Sequence, residues 1–435
     1  MGETVDGEGR AMVNDGGAGV CGAASAPPTG DAEANVVAAG APPAGAGDGM
    51  SVSVLVPTYN RANYIGECLD SLLAQTEPAL EIIVIDDGSE DGTADLLRAY
   101  GERIRYVRKD NGGKPSAVNL GLALARGQLI WIFDDDDVAL PDAIASRVAA
   151  LRARPDAGFV FSPHYYGSDD AQGRIVRGRP HVVPAYGDDR FFAELMKGCF
   201  FHLATALVRA EVYREVGGFD AELLSSEDYD MQLRLARHCP AVFSPAPSFI
   251  FRQHGGLRGA KAIRYAGRQR ASVFRRFDQR VGRKLRATLA LGDYLVPRQA
   301  GALAAEATRQ ALLARMVVMG SKGCIAELFD DLRTLLGSPG RDDVLHEHEA
   351  ASVTAAICTG YAGEACRAEW AEFMREVATL KRYAAGNAAI RALARGFYRM
   401  ARGYPGSFAL RAARLRAAAQ LHLSALRVAG VRDVT

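Results

Sequence analysis

The chain is 435 residues long, 49% hydrophobic and 24% charged, with a formal net charge of +1. Such a length exceeds one compact domain and leads us to expect two folded units plus a tail. The balance of apolar and charged residues excludes a wholly disordered chain and a globally basic nucleic-acid binder. The seven cysteines are odd in number, scattered and never spaced CxxC, which points away from a disulfide framework or zinc site and toward a reducing cytosol. Met1–Gly9 is acidic, and no apolar run reaches the roughly 18 residues of a membrane span, so neither a signal peptide nor a transmembrane segment is expected.

Residues 1–49 are built largely of Gly, Ala, Pro and Asp and read as a disordered tail, because they offer too little apolar surface to offset the entropy of ordering. Order is expected from Val52, where Val52-Ser53-Val54-Leu55-Val56 reads as a buried strand ending at Pro57. Ile65, Cys68, Leu69, Leu72 and Leu73 then fall on one face of a helix. Strand 81–85, helix 94–100, strand 104–107, helix 116–125 and strand 129–133 follow. This alternation predicts an α/β fold with a largely parallel sheet covered on both faces. Less regular elements come next: strand 159–162, helix 189–197, strand 204–208, helix 227–237 and strand 248–252. From about residue 260 the pattern turns helical and rich in Ala, Arg and Leu, with breaks near Gly337-Ser338-Pro339-Gly340 and Gly403-Tyr404-Pro405-Gly406. The expected domains are therefore 1–49, a tail; 50–260, the α/β domain; and 261–435, a helical region.

In an open parallel sheet, ligands bind outside the carboxyl ends of the strands. Here those positions are polar: Pro57-Thr58-Tyr59-Asn60-Arg61 after the first strand, Asp86-Asp87-Gly88-Ser89 after the second, and Asp134-Asp135-Asp136-Asp137 after the fourth. Asp and Asn also cap helices, yet three such loops on one edge make capping a poor explanation for all of them. Four successive carboxylates repel unless a cation compensates them. Oxygen ligands without Cys or His favour Mg²⁺ or Mn²⁺, which share their coordination with substrate phosphates and water. Asn111-Gly112-Gly113-Lys114 precedes a helix with Pro115 at its first turn, an arrangement in which free N–H groups and a nearby cation face phosphate. Glu227 and Asp228 start another helix, whose dipole favours the ionised form that a general base needs.

These stretches together resemble the glycosyltransferase family 2 domain, of GT-A fold, over about residues 51–255. The resemblance is carried by Val54 through Arg61, Ile85 through Ser89, Asn111-Gly112-Gly113-Lys114 through Asn119, Phe133 through Asp137, Gly217-Gly218-Phe219-Asp220, and Glu227-Asp228-Tyr229-Asp230 with Arg234. It implies that Pro57, Thr58, Tyr59 and Asn60 wall the nucleotide pocket, that Asp87 contacts the base, most commonly uracil, and that Gly113, Lys114, Asn119, Asp134 and Asp135 belong to the nucleotide-sugar site. Asp134 and Asp136 take the outer positions of the DxD motif. Asp136, Asp134 and His254 become the expected ligands of Mn²⁺ or Mg²⁺, Asp228 the base and Glu227 an orienting carboxylate. Arg258 is a further phosphate candidate. Val118 stands where many relatives carry Arg, so no arginine role is carried across.

The implied activity is inverting transfer of a hexose from a nucleoside-diphosphate sugar, UDP-linked, to a saccharide or lipid-linked acceptor in surface polysaccharide or glycoconjugate assembly. A sugar nucleotidyltransferase and a catalytically silent saccharide-binding scaffold are the alternatives; the first would open with a Gly-rich loop where Pro57–Arg61 stands. Residues 381–435 carry eleven Lys and Arg against one acid, Asp433. A bundle with a solvated basic exterior, a homo-oligomer interface and peripheral contact with an anionic membrane all remain open for that stretch. A cytoplasmic enzyme, working at the inner face of a membrane in the last case, is the expectation.

Overall fold

The computed structural model describes residues 35–36, 50–255, 270–338, 344–403 and 408–426. The sheet-bearing part runs β1 (Asn35–Val36), β2 (Val52–Thr58), α1 (Ile65–Leu73), β3 (Glu81–Asp86), α2 (Thr93–Ala99), β4 (Arg105–Arg108), α3 (Lys114–Leu124) and β5 (Leu129–Ile132). It continues with β6 (Val138–Ala139), α4 (Ala143–Ala153), β7 (Phe159–Phe161), β8 (Tyr165–Asp169), β9 (Ile175–Pro180), α5 (Asp188–Lys197), β10 (Leu207–Arg209), α6 (Ala210–Val216), α7 (Glu227–His238), β11 (Ala241–Phe243) and β12 (Phe249–Arg252). The helical part comprises α8 (Arg270–Thr288), α9 (Ala305–Lys322), α10 (Ile325–Gly337), α11 (Glu347–Cys358), α12 (Ala362–Ala368), α13 (Trp370–Leu380), α14 (Gly386–Gly403) and α15 (Phe408–Leu426).

The main sheet has the order β1-β4-β3-β2-β5-β10-β7-β11, and a smaller one the order β6-β12-β8-β9. β2 runs parallel to both β3 and β5, and β3 parallel to β4, whereas β10 is antiparallel to β5 and β7. Chain order therefore reverses at β2, which opens the crevice used by ligands in folds of this kind. All seven residues of β2 are buried. Leu55 faces one hydrophobic core while Val54 and Val56 face the other, as a strand covered on both sides requires. The first core is continuous with the helical part: Leu55, Ile83 and Ile85 belong to the same cluster as Phe329, Phe373 and Phe397.

β1 pairs antiparallel with β4 through Asn35 and Val36, inside the stretch read as a tail; the rest of 1–49 lies outside the described residues. So do the helical boundary at 260, Arg258, and residues 339–343 and 404–407. On α1, Ile65, Cys68, Leu69 and Leu72 are buried, but Leu73 is exposed at the last turn. The strand expected over 204–208 begins only at Leu207. The Ala204 carbonyl accepts from Trp131 Nε1 at 2.7 Å and the Thr205 carbonyl from Arg147 at 3.2 Å, so a short 3₁₀ turn, Leu203–Thr205, replaces the start of the ladder.

Candidate active site

The loops after β2, β3 and β5 converge. Asn60, in a left-handed conformation at φ 54°, donates its N–H to Ser89 Oγ at 2.9 Å and accepts from the Glu90 N–H at 2.8 Å, tying the first two loops together. Arg61 Nε reaches Asp135 at 3.4 Å and ties the first to the third. Pro57 and Thr58 are buried in β2, in register with Ile85 and Asp86. Asp86 is structural: its carboxylate accepts from the Ser89 N–H at 2.7 Å, Tyr106 Oη at 2.8 Å and Arg108 at 3.0 Å.

Asp87 is more occupied than a free base contact would be. Its carboxylate accepts from Lys109 Nζ at 2.7 Å and from the N–H groups of Gly112 and Gly113 at 2.9 and 2.7 Å. Gly113 adopts φ 86°, a region open to glycine, and this lets its N–H turn toward Asp87 just before α3 begins. Asn119 is likewise engaged within the chain: its amide accepts from the Phe219 N–H at 2.7 Å and donates to the Phe219 carbonyl at 2.9 Å. It locks the Gly217-Gly218-Phe219 loop onto α3. A Cβ on Gly218 would stand 2.8 Å from Asn119 Oδ1, so the glycine is needed for that approach.

The four aspartates take four different partners. Asp134 binds Lys114 Nζ at 2.5 Å, Asp135 pairs with Arg61, and Asp136 Oδ2 meets His254 Nε2 at 2.9 Å. Asp137, fully buried, accepts the Arg252 N–H at 2.9 Å. Arg252 is a hub that motif reading missed: its Nε donates to the Asp136 carbonyl at 2.8 Å, and its guanidinium also pairs with Glu67 and Asp169 and lies over the Tyr64 ring. The signal lay in Phe251-Arg252-Gln253-His254, where only the histidine was singled out. Burial, together with Asp136, pushes the Asp135 carboxyl up to about 7 against the opposing pull of Arg61.

The expected metal ligands therefore divide. Asp136 and His254 sit together, whereas Asp134 is drawn to Lys114, and among the described residues no three His, Cys, Asp or Glu side chains form a metal-binding group. The Asp136 carboxylate suits an ion of the Mn²⁺ or Mg²⁺ kind, which uses one or two carboxylates and fills its remaining positions with phosphate and water, whereas the His254 imidazole departs from the all-oxygen ligand set expected from the loop.

Lys114 joins this acidic edge to α7, because its Nζ also approaches Glu227 Oε1 at 4.0 Å. Burial works against the ammonium form of Lys114, but Asp134, Glu227 and Asp228 outweigh it and hold its pKa above the ordinary lysine range. Burial and then Asp228 push the Glu227 carboxyl up to about 7, with Lys114 opposing. Asp228 is only partly buried and accepts the Tyr229 N–H at 2.8 Å, at the positive end of the helix. The neighbouring His202 was not singled out from sequence, where a lone histidine carries no spacing signal. Burial lowers its pKa, while Asp228 and Asp134 act in the other direction.

Residues 53–217 match the family model described as glycosyl transferase family 2. An uncharacterized glycosyltransferase of Rickettsia felis is 32% identical over 215 residues, 49% of this chain and 35% of that protein. A chondroitin synthase of Pasteurella multocida is 31% identical over 188 residues, 42% of this chain and 19% of its own length. The chain thus spans well under two thirds of the length of these relatives. Among solved structures, S. aureus TarS 1–349 in complex with UDP-GlcNAc aligns with a TM-score of 0.47 at 18% identity, over 73% of this chain and 88% of that one. The α/β part, with its strand order and matched motifs, is the GT-A fold expected from the sequence, and a helical region follows it.

Proposed function

We propose, from the premise that residues 53–217 form a glycosyl transferase family 2 domain, that the protein is an inverting glycosyltransferase. It moves a hexose from a nucleoside-diphosphate sugar to a saccharide or lipid-linked acceptor. The observation that carries this reading is the bridge from Asp134 through Lys114 to Glu227, which sets the acidic loop after β5 beside the carboxylate pair of α7. In this reading the acceptor hydroxyl gives its proton to Asp228 and attacks the anomeric carbon as the diphosphate departs from the opposite face. General-base help of this kind contributes about 10²–10⁴-fold. Lys114 offers its ammonium to the phosphate oxygens, and Glu227 orients a sugar hydroxyl. A divalent ion held by Asp136 and His254 would neutralise charge on the leaving diphosphate.

The uridine assignment rests on the family resemblance. A carboxylate has about four lone-pair directions, and Asp87 uses three on its own chain, which leaves one for a uracil N–H. Similarity to a chondroitin synthase supports polysaccharide assembly as the setting. No helix among the described residues is long and apolar enough to cross a membrane. Peripheral contact through α14 is supported by its exposed residues Arg391, Arg395, Tyr398, Arg399 and Arg402, on a stretch without acids. Equal sedimentation with anionic and neutral liposomes would remove the membrane reading in favour of a solvated or self-associating face.

The deciding experiment is a panel of nucleotide sugars with Mn²⁺, Mg²⁺ or EDTA, following nucleoside diphosphate release in wild type and Asp136→Ala. Metal-dependent turnover of one donor, lost in the variant, is expected. Release of pyrophosphate instead, or binding without turnover for every donor and acceptor tried, would overturn the reading.

A further inference from the structure

The family match ends at residue 217, and several contacts that hold the Glu227–Asp228 turn come from beyond it. Ser226, immediately before α7, holds a left-handed backbone at φ 60°, which is uncommon for a residue with a side chain. Its Oγ donates to Asp278 Oδ1 of α8 at 2.7 Å. Six residues along the same helix, Lys284 Nζ binds Asp220 at 3.0 Å and Asp230 at 2.9 Å. Arg280 binds the Glu222 carboxylate at 2.9 Å and its carbonyl oxygen at 3.0 Å. The polar side of α8 therefore grips residues 220, 222, 226 and 230, on both sides of Glu227 and Asp228. The stripe of α8 that runs beside these contacts is anchored, because Phe277, Val281, Leu285 and the following Leu289 are buried at four-residue intervals.

A second helix reaches the same place. Lys322, the last residue of α9, is only 2% exposed, and its ammonium lies 4.1 Å from the centroid of the Tyr229 ring, directly after Asp228. Tyr229 is pinned at its other end, where Oη donates to the Leu195 carbonyl at 2.6 Å. Burial lowers the Lys322 pKa to about 8, with Asp278 acting in the other direction.

The geometry points to Asp278 as a positioning residue: through Ser226 it holds the left-handed turn that aims the Glu227–Asp228 pair, so the helical region completes the catalytic wall of the α/β domain. This rests on the proposed role of Asp228 as base. Asp278 touches no reacting atom in this account. It fixes the backbone from which Asp228 projects, and small misplacement of a catalytic group is costly to the rate.

The test uses the full chain and the donor and acceptor found active. Asp278→Ala is expected to lower kcat by about tenfold to a hundredfold while leaving donor KM within about twofold. Asp278→Asn, which can still accept from Ser226, should recover kcat to within about threefold of wild type. Ser226→Gly keeps the positive φ available and removes the hydroxyl, so it should reproduce the Asp278→Ala loss even where that variant folds poorly. Arg283→Ala, which breaks the pair between Arg283 of α8 and Glu327 of α10, away from the Glu227–Asp228 turn, should leave kcat unchanged and controls for general loosening of the helix. Wild-type kcat in both Asp278→Ala and Ser226→Gly, or equal losses in Asp278→Ala and Asp278→Asn, would overturn the inference. Full activity in Asp228→Asn would instead overturn the reading on which it rests.

Discussion

The two halves of the molecule differ in how densely they crowd buried acids beside one another. Among the described residues of the helical half the buried acids meet cations directly: Glu349 accepts from Arg309 at 3.0 and 2.8 Å, and Asp331 from Arg315 at 3.1 and 2.7 Å, with Arg286 adding a further contact at 2.8 Å. In the α/β half, Asp134 to Asp137 and Glu227 with Asp228 crowd like charges together, and burial plus neighbouring carboxylates push Asp135 and Glu227 up to about 7. Compensated charge of the first kind locks helices in register. Crowded charge of the second kind is poised to take a proton or a cation, which is why shifted groups mark candidate sites.

The largest expected effect tests the functional side of this contrast. Asp228→Asn removes the proposed base while preserving volume, and kcat should fall by about 10²–10⁴-fold. Thermal unfolding of the variant should stay close to wild type, because Asp228 is only partly buried. Unchanged kcat would break the assignment. A collapse in stability would instead move Asp228 to the structural class.

Much of the α/β half was legible in the sequence because its chemistry is local. The strand at Val52–Thr58 and the polar loops after β2, β3 and β5 follow from hydrophobic runs and their punctuation, and the topology brings those loops to one edge. What stayed hidden depends on contacts distant in sequence. Arg252 meets Asp137 across 115 residues, and Asp278 meets Ser226 across 52. No periodicity announces such pairs. Asn119 and Asp87 show the converse limit, since a motif identifies a residue without saying that its polar atoms are already engaged by Phe219 or by Gly112 and Gly113. The short β8 and β9 escaped because their partly exposed, glycine-containing segments lack the apolar alternation of a half-buried strand.

The structural side of the contrast is tested by Arg309→Met. It leaves the Glu349 carboxylate, 1% exposed, without its guanidinium, and breaking one side of a buried pair costs about 3–5 kcal/mol. Urea unfolding should show that loss, while kcat per folded molecule remains at the wild-type value. A variant as stable as wild type would mean that the pair carries little of the packing of α9 against α11.

Glu227→Gln is the smaller effect, and it sharpens the contrast because its sign depends on pH. An isolated glutamate titrates near 4.3, whereas burial and Asp228 push Glu227 in the folded chain up to about 7. Between those values the native state binds more protons than the unfolded state, so this group's contribution to stability declines as pH rises and stays diminished above about 7. Glutamine carries no such dependence. The variant should therefore gain on wild type across that window, by on the order of 2 kcal/mol at pH 8, with the advantage fading toward pH 4.5. Lys114 works against the gain, since at high pH it loses an ionised neighbour at 4.0 Å while keeping Asp134 at 2.5 Å. Urea midpoints at pH 5 and pH 8 distinguish the two influences: a variant less stable than wild type at pH 8 would mean that Lys114 compensates Glu227 as fully as Arg309 compensates Glu349, and the crowded-charge description would then hold for the aspartate loop alone.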